Sequence, residues 1–140
     1  VVYSLLSGII YSYLVRKNRF YPIIPVVVKG TKELTIYALV DSGAVISLFH
    51  NQVADAIGID LSRGKPIYLP GIVGYVKGVL IDDVVIELRE LGFKTTIPIV
   101  FTEHISSDLA ILGRKGFFEK FEIVFREWRK ELELRIIGEK

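Results

Sequence analysis

The chain has 140 residues, 51% of them hydrophobic and 24% charged, with a formal net charge of +2. That is one domain's worth of sequence, able to bury a core without metal or disulfide staples, and its composition excludes a disordered chain. The mixed charge leaves no footprint for nucleic acid. The lack of cysteine excludes disulfides, thiolate zinc sites and cysteine nucleophiles, and the two histidines, His50 and His104, lie too far apart to suggest a metal centre. No cofactor is expected.

Residues 1–15 (VVYSLLSGIIYSYLV) are almost continuously apolar, and Arg16, Lys17 and Arg19 follow them. One reading is the end of a membrane anchor with a basic cytoplasmic flank. The other is a strand or helix packed on the domain or on a partner. The run is shorter than the roughly 20 residues a span needs, which favours packing. The basic residues follow the run instead of preceding it, which argues against a secretory signal. The expected location is cytoplasmic, with membrane association through residues 1–15 as the less favoured reading. Residues 1–19 are therefore set apart from a domain spanning 20–140. The absence of methionine, even at position 1, reads as a fragment, a trimmed chain or a non-standard start.

From Phe20 onward the pattern is β. Tyr21 to Lys29 is β-branched, with prolines that suit an edge or a strand start. Gly30-Thr31 turns it into Leu34 to Val40, an antiparallel partner. Val45 to Phe49 is a further strand. Asn51 is the expected cap of a short helix from Gln52 to Ile57, ended by Gly58. Lys65 to Leu69 is a strand leading into a glycine-rich tip, Pro70 to Tyr75. Val76 to Ile81 and Val84 to Leu88 read as two strands broken at Asp82-Asp83. Phe93 to Phe101 and Leu109 to Leu112 are strands, and Lys115 to Lys120 is a helical turn or two. Phe121 to Phe125 and Leu132 to Ile136 alternate apolar and polar, predicting a terminal hairpin that turns near Trp128 to Lys130.

One tripeptide carries chemistry: Asp41-Ser42-Gly43. Alone it reads as an ordinary turn. Its setting is different, because Ala38-Leu39-Val40 precedes it and Ala44-Val45-Ile46 follows it. An ionisable group between two core strands is costly without a purpose.

Three motifs in order make the chain resemble the retropepsin family of aspartic proteases. They are Ala38 to Ala44 as a catalytic loop, Pro70 to Lys77 as a flap, and Ala110-Ile111-Leu112-Gly113-Arg114 as the hydrophobic-hydrophobic-Gly-Arg signature, about 70 residues after Asp41. The similarity spans roughly Tyr21 to Phe125. It implies an all-β protein, a small closed barrel of the acid-protease type with one or two short helices. It also implies a homodimer with its active site on the two-fold axis. Asp41 is the implied catalytic residue and Ser42, Gly43 and Ala44 its support. Gly71, Ile72, Val73 and Gly74 would form the flap. Val45, Ile46, Leu109 and Ile111 would line the substrate cleft, and Gly113 and Arg114 would serve structure.

Peptide hydrolysis by water needs a base and an acid, and two close carboxylates sharing one proton supply both. Asp-Ser-Gly occurs once here, so the second carboxylate must come from another copy of the chain, through an isologous dimer. The expected function is an aspartic endopeptidase cutting polypeptides with an apolar cleft preference. The alternatives are a catalytically silent dimerisation or peptide-binding module of that fold, and an unrelated β-barrel binding module with Asp41 in a turn. One departure stands out. Where viral members carry an acid to pair with the signature arginine, this chain has Val45-Ile46-Ser47, which leaves Asp108 or a residue of a second copy as the expected partner of Arg114. The terminal hairpin is longer than a minimal viral tail and is expected to extend the dimer sheet or add an edge.

Overall fold

A computed structural model describes residues 2–4, 8–71 and 74–137. In chain order the first strands are β1 (Val2–Ser4), β2 (Gly8–Ser12), β3 (Leu14–Arg16), β4 (Arg19–Tyr21), β5 (Ile23–Lys29), β6 (Glu33–Val40) and β7 (Ser47–His50). The helix α1 (Asn51–Ile57) comes next, followed by β8 (Lys65–Gly71), β9 (Gly74–Leu88), β10 (Phe93–Thr102), β11 (Ala110–Leu112), β12 (Phe121–Arg126) and β13 (Glu131–Ile136).

These strands do not form the small closed barrel that the resemblance implied. They fall into three sheets. The largest is a mixed sheet of seven strands in the order β10-β7-β11-β6-β5-β9-β8, and β8 is left as an outer edge. Two of its pairings are parallel, β10 with β7 and β11 with β6. The first and last strands build a separate four-stranded sheet, β1-β2-β13-β12, and β3 and β4 form a hairpin of their own. Alternating hydrophobicity selects a strand and its buried face but not its neighbour. Parallel partners, which need long crossovers, are the least visible of all. With the barrel, the architecture that "retropepsin-like" implied is also corrected.

The 15-residue β9 holds the large sheet together. It pairs with β8 and β5 along one side and with β10 along the other. The expected break at Asp82-Asp83 is absent. Val84 faces Ile97 and Ile81 faces Ile99, so two aspartates oppose the single residue Pro98. This is a β-bulge opposite a proline that has no N–H to give, and it lets both aspartates reach solvent.

The core lies between the large sheet, the terminal sheet and α1. Ile24, Val26, Val28, Ile86, Ile97 and Phe101 are among its fully buried members. Ile9, Tyr11, Leu132 and Leu134 reach it from the terminal sheet. Tyr11 also donates its hydroxyl to Glu90 at 3.3 Å, and burial, with this carboxylate beside it, raises its pKa. Helix α1 ends at Gly58 in the left-handed region, as expected. Its start is different. The cap is His50, whose Nδ1 accepts from the Gln52 N–H at 3.0 Å, and Asn51 is already helical.

Candidate active site

The site begins where β6 ends. Val40 is buried, and the chain then leaves the sheet at Asp41 through a tight turn. Three backbone bonds fix that turn. The Asp41 N–H donates to the Leu112 carbonyl at 3.0 Å, the Ala44 N–H donates to the Asp41 carbonyl at 3.2 Å, and the Arg114 N–H donates to the Ala44 carbonyl at 2.9 Å. The loop is thus braced by the segment that carries the Gly-Arg signature. β11 lies between β6 and β7, with Ile111 opposite both Leu39 and Leu48. The first and third sequence motifs therefore sit side by side.

Gly113 is the hinge of this contact. A Cβ there would lie 2.5 Å from the carbonyl carbon and oxygen of Ile46 and 2.9 Å from the Ala44 oxygen. Only glycine lets the two loops pass so closely. Its N–H donates to the buried Ser47 hydroxyl at 3.0 Å.

The Asp41 carboxylate is half-buried. Its Oδ1 accepts the Gly43 N–H at 2.9 Å, and among the described residues no other donor or charged side chain engages it. The role of Gly43 is close approach and not an unusual torsion. A Cβ there would meet Asp41 Oδ1 at 3.2 Å, and its φ is not in the left-handed region. Ser42 is exposed, and its hydroxyl bonds nothing among the described residues.

Two mainly apolar cavities flank the loop. One, of about 420 Å³, is lined by Gly43, Ala44, Val45, Ile46 and Leu48, and by Leu69, Pro70 and Val76 of the β8–β9 hairpin. The expected flap stalk therefore stands against the Asp41 loop. Gly71 pairs with Gly74 at its end, and Ile72 and Val73, the expected tip, lie outside the described residues. The other cavity, of about 430 Å³, is walled by Tyr21, Ile23, Leu39 and Leu109, with Arg16, Lys17 and Asp108 at its rim. Leu39, two residues before Asp41, lines one cavity, and Gly43, two residues after it, lines the other.

Of the four expected cleft residues, Val45 and Ile46 line the first cavity and Leu109 the second. Ile111 sits half-buried between Leu39 and Leu48. Sequence reasoning missed Leu39, Leu48, Leu69 and Val76. Leu39 was within reach, because the two-residue period of a strand places it on the same face as Asp41. Arg114 is exposed and has no ion-pair partner among the described residues. Asp108 pairs instead with Arg16 at 3.9 Å and accepts the Ser106 hydroxyl, which lowers its pKa.

No protein-family model and no curated protein sequence matches the chain. Its function therefore has to be read from this geometry.

Proposed function

We propose that the chain is one half of an aspartic-type endopeptidase, completed when the Asp41 side chains of two copies meet across a two-fold axis. The observation that carries this reading is the half-satisfied Asp41 carboxylate. One oxygen is fixed by the Gly43 N–H, and no second acid is hydrogen-bonded to it among the described residues. A lone carboxylate of this kind cannot act as both base and acid.

Two such carboxylates at hydrogen-bonding distance share one proton, because like charges so close cannot both ionise. They titrate as a unit. The ionised member takes a proton from a water, whose oxygen attacks the peptide carbonyl carbon. The protonated member supplies the proton that the departing amine needs. Ser42, exposed beside Asp41, would hydrogen-bond across the axis of such a dimer. Ala44 and Gly43 leave room for an extended peptide, which binds as an added strand. The two apolar cavities favour hydrophobic side chains on both sides of the cut, and the β8–β9 hairpin helps keep water out.

The test is incubation with a peptide library at several pH values, with Asp41→Asn as control and sedimentation run in parallel. The expected result is cleavage beside hydrophobic residues with a bell-shaped, acid-shifted profile, lost in the variant and blocked by a statine-type mimic. Cleavage that needs a metal, or a chain that stays monomeric while active, overturns the reading. A dimer that binds peptides without cutting them points instead to a peptide-holding module.

A further inference from the structure

The end of the molecule formed by the β3–β4 hairpin and the β12–β13 turn combines exposed apolar and basic side chains. Trp128, the only tryptophan, is 79% exposed in the turn Glu127–Arg129. Val15 and Phe20 are directly opposed on the hairpin and are 57% and 51% exposed. The two turns meet. The Tyr13 N–H donates to the Lys130 carbonyl at 2.8 Å, and Lys130 Nζ lies 5.9 Å from the centre of the Phe20 ring. Scattered exposed apolar residues are ordinary, but three of them on an adjoining hairpin and turn at one end of the molecule are not.

The charges around this cluster are one-sided. Lys17 and Asn18 form the left-handed two-residue tip of the hairpin, at φ 51° and 62°. Lys17 and Arg19 form no direct ion pair among the described residues, although Asp108 is near enough to feel the Lys17 charge. Arg129 lies over the Trp128 ring at 5.4 Å. The nearby acids are engaged: Glu127 with Lys130 at 2.6 Å, Glu131 with Arg129 at 3.5 Å and Asp108 with Arg16 at 3.9 Å. Basic side chains (Arg16, Lys17, Arg19, Arg129 and Lys130) therefore outnumber acidic ones (Asp108, Glu127 and Glu131) around an apolar, aromatic centre.

We propose that this end docks on an anionic lipid surface. Tryptophan and phenylalanine settle at headgroup depth, where one side is apolar and the other wet. Lysine and arginine beside them meet the negative leaflet. A second copy fits less well, since a two-fold contact here would set Lys17 and Arg19 against their own counterparts. The inference does not depend on the catalytic reading, because binding is measured without any substrate.

Trp128 is its own reporter. The intact chain is mixed at low salt with vesicles of phosphatidylcholine alone, or of phosphatidylcholine with phosphatidylserine, and followed by tryptophan emission and co-sedimentation. The expected result is a blue shift and pelleting with the anionic vesicles only, reversed by salt. Replacing both Lys17 and Arg19 by serine should weaken binding roughly thirtyfold, since each cation near the surface contributes a factor of about five. Lys94→Ser, on an exposed stretch of β10, should leave binding unchanged. No pelleting at low salt overturns the proposal, as does binding indifferent to Lys17 and Arg19. So does a tryptophan shift with a single-stranded oligonucleotide but none with vesicles.

Discussion

The N–H of Gly113 reaches the hydroxyl of Ser47 at 3.0 Å across 66 residues of sequence, and both groups are buried. This bond ties the Gly-Arg segment to the strand that follows the Asp41 loop. Ser47→Ala leaves a buried N–H unpaired and should cost about 1–3 kcal/mol. Denaturant unfolding measures the loss, and Ser47→Thr, which keeps a hydroxyl, should recover most of it.

Gly113→Ala tests the close passage of the two loops. The added methyl would overlap the Ile46 carbonyl, so backbone must move. Overpacking of this kind costs about 1–3 kcal/mol. Peptide cleavage should fall further than the stability loss explains, because the displaced backbone is the one that carries Ala44. Activity equal to the parent's at a temperature where both are folded would contradict this.

Asp41→Asn keeps an oxygen to accept the Gly43 N–H and should fold normally. Its hydrolysis should drop by at least about a hundredfold, the lower bound for losing a general acid–base group. For the unmodified chain, activity per molecule should fall on dilution as dimers separate. A specific activity that stays flat through the sedimentation midpoint argues against a shared site.

Glu133, in one of the two inner strands of the terminal sheet, is 4% exposed. Arg135 at 2.7 Å and Arg126 at 2.6 Å hold its carboxyl below the usual glutamate range. A depressed folded-state pKa gives stability that is present above the unfolded value, about 4.3, and lost as pH falls from there through the folded value. Glu133→Gln should therefore lower stability at neutral pH by about 1.5–3 kcal/mol and flatten the acid limb of the stability profile. Unfolding curves collected from pH 7 down to about pH 3 distinguish the two profiles.

His50→Ala removes the side chain that caps α1 and should cost about 1 kcal/mol, with His50→Asn largely neutral. Thermal melts at neutral pH make the comparison.

Much of the site was legible in the sequence because its parts are short and chemically distinctive. An acid set between apolar triplets, a glycine-bounded hairpin and a Leu-Gly-Arg end each stand out, and the structure brings all three to one loop. The strands were legible wherever alternation was clean, as in Phe121 to Phe125 and Leu132 to Ile136. The sheet order was not. Three-residue β11 slips in between β6 and β7, parallel to the first and antiparallel to the second, and nothing local in Ala110-Ile111-Leu112 names those neighbours. Asp82-Asp83 misled for a related reason. Two successive polar residues look like a break, and the bulge that accommodates them depends on Pro98 in another strand. His50 was overlooked as a cap because asparagine, the commoner choice, stands next to it.

The placement of β11 also bears on how the protein is made. A ribosome must extend the chain through residue 112 before the slot between β6 and β7 can close. Until then the nascent polypeptide holds two unsatisfied strand edges and an Asp41 loop without its brace. Any product of premature termination upstream of that point would keep those open edges and be prone to clump, so quality control during synthesis should meet it as an aggregation hazard.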